Sequence, residues 1–292
     1  MIIKFEPIAL SKVWGGTKLS ALYNCKEKKV GEIWGISAHK TFSNIISNRE
    51  FQGMSLRDLF RARKEFFGYY PEEEFPILIK LIEADGDLSI QVHPDDKYAK
   101  IHENSFGKDE CWFILNTESE DTKIVIGHSA KTKNQFLEAL HKGNIENLLS
   151  YQPVKKGDYF YIPSGKVHAI CKNTMLLEVS QSSDVTYRLY DYNRLDNGKL
   201  RELHIDKSLD VITFPDTPNQ KTHNPKIFDF KVLDANDNKI TADLHGDYIY
   251  IIEGSGEIDD TIVNQGDFIM ITSANEYKII GKLKYVLVRI TK

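Results

Sequence analysis

The 292-residue sequence has little of several features that define whole classes of protein. Its three cysteines, Cys25, Cys111 and Cys171, are widely spaced and odd in number, which favours free thiols in a reducing compartment over a disulfide framework. Apolar runs such as residues 249–252 are far too short to span a bilayer. A net charge of −4 supplies no positive field for nucleic acid or an anionic membrane. We therefore expect a cytoplasmic protein without nucleic-acid or membrane partners.

Short β-branched and aromatic segments make up most of the apolar sequence. They are bounded by Gly, Asp, Asn or Pro, and this spacing predicts a mainly β fold of the barrel or sandwich type. The N-terminal stretch carries Lys4 and Glu6, which indicates a strand rather than a signal peptide. The other predicted strands are residues 75–84, 88–92, 111–115, 123–127, 158–162, 175–179, 248–253 and 268–272.

Three segments have helical periodicity. The first begins at Ser55, and the second begins at Thr132; each of these residues is a good N-cap before an apolar stripe. A segment with three prolines predicts a linker between a larger domain and a C-terminal β domain. The predicted helical ranges are 55–68, 132–150 and 205–211, the linker is 214–225, and the domains are 1–215 and 216–292.

A weak internal repeat suggests that the two domains are related. Residues 156–168 (KGDYFYIPSGKVH) and 265–277 (QGDFIMITSANEY) align without gaps, and they share Gly, Asp, Ile and Ser positions. A real repeat predicts two related β barrels. The alternative is that the similarity arose by chance, because a Gly-Asp turn before a strand is common in β proteins. In this alignment Tyr277 takes the place of His168.

Polar side chains alternate along the predicted strand before Pro94. Because residues two apart on a strand face the same side, Ser89, Gln91 and His93 point one way and the apolar residues between them point the other. Polar groups that face a barrel interior need partners. This strand therefore contains a candidate ligand pair, although a Q-x-H triplet alone is a weak signal.

A second segment strengthens the metal-site interpretation. Gly157, Pro163, Gly165 and His168 fit the pattern G-x5-P-x-G-x2-H, which resembles the second sequence motif of cupin barrels. The first cupin motif has a histidine pair followed by a glutamate, and here Gln91, His93 and then Glu110 take those places. The mixed nitrogen and oxygen set suits Zn²⁺, with Fe²⁺ and Mn²⁺ as alternatives. The candidate metal ligands are Gln91, His93, Glu110 and His168.

Positive charge lies close to these ligands in the sequence. Lys108 and Glu110 share a strand face, and Asp184 and Arg188 alternate toward one side of a later strand. Arg188 either pairs with an aspartate within its strand or points into the same cavity as the ligands. In a protein of net negative charge, Arg188, Lys108 and Lys80 are the candidates for binding an anion such as phosphate or carboxylate.

Several longer motifs carry a family resemblance. They are WGG at 14–16, GEIWGISAH from 31, FPILIKLI from 75, LSIQVHPDD from 88, GKDECWFIL from 107, IPSGKVHAI from 162 and SDVTYRLYDYNR from 183. In order and spacing they resemble the class I mannose-6-phosphate isomerases (phosphomannose isomerases), and especially the short bacterial type. The resemblance covers residues 7 to about 215 and is loose beyond them.

The resemblance implies a fold, a reaction and residue roles. It implies double-stranded β-helix (jelly-roll) cupin barrels, with one Zn²⁺ per chain on His93, Glu110 and His168 and with Gln91 as a fourth ligand. It further implies Arg188 as the catalytic arginine and places Ser89 and Lys108 near the sugar phosphate. The reaction would interconvert mannose 6-phosphate and fructose 6-phosphate through a cis-enediol(ate). Asp184, Lys108 and a metal-bound water remain open as the proton carrier, and a monomer and a homodimer are both open.

Two other functions use the same residues. A non-catalytic sugar-phosphate sensor on a cupin scaffold is one, since a fold does not fix function; a metal with open coordination positions is unnecessary in a sensor. An Fe²⁺-dependent cupin dioxygenase is the other, and the cations Lys108 and Arg188 count against it. The cluster Gly254, Ser255 and Gly256 predicts a hairpin turn rather than a dinucleotide site.

Overall fold

The computed structural model of the chain describes residues 1–219 and 225–291. Within them the α-helices are α1 (Lys18–Leu22), α2 (Leu56–Ala62), α3 (Asp96–His102), α4 (Lys133–His141) and α5 (Ile205–Val211). Short 3-10 segments span Arg49–Phe51, Lys64–Phe67 and Ile145–Leu148. The strands are β1 (Ile2–Glu6), β2 (Ile8–Leu10), β3 (Glu32–Ile36), β4 (Ile45–Ile46), β5 (Ile77–Ala84), β6 (Ile90–Val92), β7 (Glu110–Thr117), β8 (Lys123–His128), β9 (Leu149–Pro153), β10 (Tyr159–Ile162), β11 (His168–Ile170), β12 (Thr174–Gln181), β13 (Tyr187–Tyr190), β14 (Leu195–Asp196), β15 (Lys199–Leu200), β16 (Phe228–Asp234), β17 (Lys239–Thr241), β18 (Asp247–Ile258), β19 (Thr261–Asn264), β20 (Phe268–Ile271) and β21 (Glu276–Ile290).

Two facing sheets form the first barrel. One has the strand order β10-β7-β12-β5-β3-β2 and the other the order β13-β6-β11-β8-β9. Apolar side chains from both sheets meet between them, among them Trp112 and Leu176 from the six-stranded sheet and Ile126 and Ile170 from the five-stranded sheet. The mainly β barrel expected from the sequence is confirmed.

The outer faces of both sheets are also covered. Helices α4 and α5 place Phe136 and Leu209 against the five-stranded sheet. On the other side, Phe113 and Val179 of the six-stranded sheet pack in one core cluster with Phe268 of a third sheet. The six-stranded sheet is therefore buried on both faces.

The third sheet curls into a second barrel with its own core. Its strand order is β16-β21-β18-β20-β1-β4, with β17 on β21 and β19 on β18. Strands β1 and β4 come from the first fifty residues, so strand pairing does not strictly follow the predicted division at residue 215. That division into domains stays a prediction. The predicted linker is without helix or strand over residues 214–219, and its residues 220–224 lie outside the described part of the chain.

The predicted helices begin at their expected caps. Ser55 Oγ accepts the N–H of Asp58, and Thr132 Oγ1 accepts the N–H of Gln135. Gly68 ends the first helical segment in the left-handed conformation at φ +57°. The second segment is shorter than predicted, because β9 already begins at Leu149. None of the helices in the described ranges is both long and apolar enough to cross a bilayer.

Equivalent register in the two barrels supports the internal repeat. In the first barrel Ile162 of β10 pairs with Glu110 of β7. In the second, Ile271 of β20 pairs with Asp247 of β18. Because Ile162 and Ile271 are matched by the sequence repeat, Asp247 occupies the place of Glu110 just as Tyr277 occupies that of His168. The repeat therefore extends from sequence to strand pairing.

Candidate metal centre

Three of the predicted ligands meet at one end of the first barrel. His93 follows β6, His168 begins β11 and Glu110 begins β7, so the two facing sheets contribute to one site. Their ligand atoms all lie within 4.8 Å of one another. His93 Nε2 is 3.6 Å from Glu110 Oε2, and His168 Nε2 is 3.4 Å from Glu110 Oε1. All three residues are buried.

Backbone carbonyls fix the tautomer of both histidines. His93 Nδ1–H donates to the carbonyl of Val185 at 2.8 Å, and His168 Nδ1–H donates to the carbonyl of Lys166 at 2.8 Å. Burial is the main cause that lowers the pKa of His93 well below its usual value and the pKa of His168 to about 4. Both rings are therefore neutral near pH 7, and each Nε2 keeps a lone pair directed at the same space.

Glu110 is held by a buried lysine. Lys108 Nζ donates to Glu110 Oε2 at 2.6 Å and to Glu178 Oε1 at 2.9 Å. Burial disfavours the ammonium, but the two carboxylates outweigh burial and raise the pKa of Lys108. Burial, reinforced by the Glu178 carboxylate, raises the pKa of Glu110. Lys108 lies beside Glu110 as the sequence indicates, but its ammonium is already shared between two carboxylates.

A buried chain of alternating charges continues from this pair. Lys80 Nζ lies 3.2 Å from Glu178 Oε1 and 3.5 Å from Glu32 Oε1, and Trp34 Nε1 donates to Glu32 at 3.0 Å. Sequence analysis singled out Lys80 but missed Glu178 and Glu32. Glu178 of β12 is the direct strand partner of Lys80 of β5. Its charged side chain in a mostly apolar strand is the sequence feature that could have identified it.

Gln91 and Arg188 lie in one row with His168. Gln91 of β6 pairs with His168 of β11 on one side and with Arg188 of β13 on the other. Directly paired residues of an antiparallel sheet share a face, so all three side chains point toward the centre. Gln91 Nε2 is 3.3 Å from His168 Nε2, and a half-turn of its amide would place Oε1 there instead. The strand register therefore places both residues on the sheet face that carries His168, and Gln91 contacts that histidine directly.

Two arginines bind one buried aspartate, and the charge of Arg188 is close enough to interact with all three. Arg194 and Arg201 both form ion pairs with Asp191, and Arg188 Nη1 donates to the carbonyl of Glu202 at 2.8 Å. Burial, followed by the Arg201 guanidinium, lowers the pKa of Arg188. The Nε atoms of Arg188 and Arg194 are buried without a hydrogen-bond partner among the described residues. The three arginines and one aspartate carry a net positive charge. Sequence analysis identified Arg188 but missed Asp191, Arg194 and Arg201.

The other two predicted site residues differ in exposure. Ser89 is buried just before β6. Asp184 is half exposed, with its Oδ1 3.6 Å from His39 Nε2. Burial is the main cause that lowers the pKa of His39, and its Nδ1 accepts the N–H of Thr41 at 3.3 Å. Among the described residues, Asp184 forms no ion pair with a metal-ligand side chain, unlike the buried Glu110.

The residues present suit a divalent metal ion. His93 Nε2 and Glu110 Oε1 are buried without a hydrogen-bond partner in the described ranges, a costly arrangement unless a ligand fills the space between them. Two neutral imidazoles and a carboxylate form a donor set that first-row divalent metals bind well. His93, Glu110 and His168 are thus close enough to bind one metal ion together, and the full four-residue ligand set stays a prediction.

Comparisons with known proteins agree on one family. Residues 2–145 match the family model "Phosphomannose isomerase type I, catalytic domain". Mannose-6-phosphate isomerase ManA of Bacillus subtilis is 44% identical over 229 residues, covering 77% of this chain and 72% of the relative. A mannose-6-phosphate isomerase of Streptococcus mutans is 42% identical over 216 residues, covering 71% and 68%.

Solved structures agree with the fold over the whole chain. The mannose 6-phosphate isomerase from Bacillus subtilis superimposes with a TM-score of 0.92 at 33% identity, covering 99% of both chains. A mutant of phosphomannose isomerase from Salmonella typhimurium has a TM-score of 0.80 at 15% identity, covering 100% of both, and this shows the fold alone. The C-terminal region that the sequence matches only loosely therefore shares the fold of the Bacillus subtilis structure.

Proposed function

Because the chain belongs to the type I phosphomannose isomerase family, we propose that it interconverts D-mannose 6-phosphate and D-fructose 6-phosphate through a cis-enediol(ate). The observation that carries this proposal is the buried group of His93, Glu110 and His168, with Arg188 in the same row of paired residues as His168. A reducing compartment such as the cytoplasm suits the three free cysteines.

The proposed metal is Zn²⁺, one per chain. His93 Nε2, Glu110 and His168 Nε2 would hold it, with Gln91 as the fourth ligand. A Zn²⁺ ion bound there supplies a Lewis acid that stabilises negative charge on the sugar oxygens. The carbonyls of Val185 and Lys166 support this assignment, because they hold both imidazoles with Nε2 facing the other ligands.

Arg188 and Lys108 have different roles in the proposed mechanism. Moving the carbonyl from C1 to C2 removes a proton from C2, and negative charge then develops on oxygen. The Arg188 guanidinium keeps its charge throughout and stabilises that oxygen. Lys108 holds Glu110 and Glu178 in place, and its raised pKa makes it a poor proton acceptor. It therefore serves the site chiefly as a fixed cation.

The substrate phosphate is assigned to Arg194 and Arg201, which leaves Arg188 to stabilise the sugar oxygen. Arg194 and Arg201 share one carboxylate, Asp191, and Arg188 binds a backbone carbonyl, so two of these three positive charges are not neutralised within the group. Guanidinium groups bind phosphate with paired hydrogen bonds. Ser89, two residues before Gln91 on the same strand face, is the nearby hydroxyl. Phosphate anchored here would orient the open chain toward the metal ligands.

Proton transfer is assigned to Asp184. Glu110 and Glu178 are bound by Lys108, and Asp191 is bound by two arginines. Asp184, in contrast, is half exposed with His39 beside it. A carboxylate that is not neutralised by a lysine can accept the C2 proton and return it to C1. Asp184→Asn should therefore lower kcat while leaving the metal content unchanged.

Removing the metal tests the proposal directly. Fructose 6-phosphate formation from mannose 6-phosphate is measured in purified protein, after chelation, and after Zn²⁺ is returned. Activity should disappear with chelation and recover with Zn²⁺. His168→Ala is the control, because it should bind no metal and stay inactive after Zn²⁺ addition. A metal-loaded wild-type protein without isomerase activity would contradict the assignment, and oxygen uptake by the Fe²⁺ form would instead support a dioxygenase.

A further inference from the structure

We propose that Asp216 is a positioning residue for the metal centre and acts through Lys166. Asp216 lies in the segment 213–217, which follows α5, and residues 214–217 of it belong to the predicted linker. The inference rests on the proposed metal centre but not on the identity of the sugar substrate. Among the described residues, Asp216 contacts no metal-ligand side chain, so its effect on the site is indirect.

Asp216 and Lys166 form an ion pair with little solvent access. Lys166 Nζ lies 3.0 and 3.1 Å from the two carboxylate oxygens of Asp216, and the side chains are only 2% and 12% exposed. The same ammonium donates to the carbonyl of Thr217. Screening by water is weak at such a site, so this contact fixes the lysine far more firmly than a surface pair would.

Lys166 in turn orients a metal ligand. Its backbone carbonyl is the acceptor for His168 Nδ1–H at 2.8 Å, the contact that directs Nε2 toward Glu110. A shift of this carbonyl would rotate the imidazole or free its other tautomer. Groups that hold a ligating histidine in this way tune metal affinity. Anchoring the Lys166 side chain therefore stabilises the ring orientation that the metal requires.

The segment also reaches the second histidine. Thr213 N–H donates to the carbonyl of Gly165 at 3.0 Å, and Gly165 N–H donates to the carbonyl of His93 at 2.8 Å. Gly165 has φ +79°, and a Cβ added there would lie 2.7 Å from Thr213 Oγ1. The turn before His168 is thus held between the segment 213–217 on one side and the His93 backbone on the other.

A third contact ties the segment to the strand next to His168. His128 N–H donates to Asp216 Oδ2 at 3.2 Å, and His128 Nε2–H donates to the carbonyl of Thr213 at 3.2 Å. A Cβ on Gly127 would lie 2.1 Å from Asp216 Oδ2, so the close approach of the carboxylate requires glycine there. Asp216 therefore joins β8 to the turn that precedes β11.

The chain offers a matched control for Asp216. Asp267 in the second barrel likewise binds a lysine and a backbone amide: Lys4 Nζ is 2.8 Å and Asn264 N is 2.8 Å from its Oδ2. Asp216 accepts one amide more, the N–H of Thr217 at 2.9 Å. Asp216→Asn and Asp267→Asn therefore remove the same kind of interaction in the two barrels. Lys166→Met removes the other partner while it keeps the apolar stem, and Asp216→Glu keeps the charge.

Metal affinity and the spectrum of the Co²⁺ form test the proposal. Zn²⁺ affinity is measured by competition with a chromogenic chelator, and thermal unfolding of the metal-free proteins is recorded in parallel. Asp216→Asn and Lys166→Met should each bind Zn²⁺ about 10- to 100-fold more weakly and alter the visible Co²⁺ spectrum. Asp267→Asn should match wild type in both measurements, and Asp216→Glu should recover part of the affinity.

Three results would overturn the proposal. The first is wild-type affinity and an unchanged Co²⁺ spectrum in both Asp216→Asn and Lys166→Met. The second is an equal loss of affinity in Asp267→Asn, because the effect would then reflect general destabilisation. The third is a wild-type protein that binds neither Zn²⁺ nor Co²⁺, which would remove the metal centre itself. Wild-type metal binding without isomerase activity would contradict the proposed function and leave the role of Asp216 standing.

Discussion

Each metal-ligand side chain is held by a second contact that decides which of its atoms faces the others. Two backbone carbonyls accept the Nδ1–H groups of His93 and His168. Lys108 donates to Oε2 of Glu110, and Oε1 has no hydrogen-bond partner among the described residues. This arrangement prepares the ligand atoms before any ion binds, so little side-chain entropy remains to be lost on binding. Residues such as Lys108 and Lys166 therefore belong to the site although they need not touch a metal.

Arg188 should act on turnover and Arg194 on substrate binding. Arg188→Ala removes a fixed charge from the row that contains Gln91 and His168, so kcat should fall by more than ~10²-fold with metal content unchanged. Arg194→Ala removes one phosphate partner and should mainly raise KM for mannose 6-phosphate. Steady-state kinetics with metal analysis separates these outcomes. A near wild-type kcat for Arg188→Ala would return Arg188 to a structural role.

The sequence predicts the ligands better than it predicts their partners. His93, Glu110 and His168 follow from strand alternation and a spaced motif, and the structure brings all three together. Glu178 shows only its position in a mostly apolar strand, and its lysine partners could not be predicted because they lie outside that strand. The contact between Glu178 and Lys108, for example, depends on the pairing of β12 with β7 across seventy residues.

At the scale of elements, the second barrel replaces the metal centre with an ion pair. Asp247 takes the position of Glu110, and Arg289 forms two hydrogen bonds of 2.8 Å to its carboxylate. Tyr277, at the position of His168, donates to Asp247 Oδ2 at 2.6 Å. The guanidinium thus neutralises the buried carboxylate, as a metal would in the first barrel. We therefore expect the second barrel to have a structural role.

Tyr277→Phe tests this assignment. The variant removes the hydroxyl from Asp247 but leaves both arginine contacts, so the free energy of unfolding should fall by about 1–2 kcal/mol. Turnover and metal content should stay close to wild type, because the first barrel keeps all its ligands. Denaturant unfolding and steady-state kinetics measure the two effects. A large loss of kcat in a folded variant would show that the second barrel takes part in catalysis.

Short elements set the limit of prediction at this scale. The caps Ser55 and Thr132 locate α2 and α4, but α1 has five residues and too few turns to show a helical period. Helix α3 buries Ala99 alone, so its sequence has no apolar stripe. The hairpin turn predicted at residues 254–256 is wrong. These residues lie inside β18, where Gly254 has φ +84° and a Cβ would lie 1.9 Å from the carbonyl of Lys282. Glycine there permits close approach of two strands, which local sequence does not distinguish from a turn.

At the scale of the whole molecule, the six-stranded sheet connects the two barrels. One face lines the metal centre with Glu110 and Glu178, and the other packs Phe113 against Phe230 of the third sheet. Strand β1 adds a chain connection, because it pairs with β20 at the other end of the sequence. The apolar contact and this pairing predict that both barrels unfold in one cooperative transition.

The three tryptophans allow this prediction to be measured. Trp14, Trp34 and Trp112 all lie in the first barrel, so their fluorescence reports on that barrel, whereas far-ultraviolet circular dichroism reports on both. The two signals should give coincident thermal transitions. Zn²⁺ at a free concentration of 100 times its Kd should stabilise the folded state by about 2.7 kcal/mol and shift both transitions together. If Zn²⁺ moved only the fluorescence transition and left a second phase in the dichroism, the two barrels would be independent folding units. The six-stranded sheet would then be stable without the second barrel.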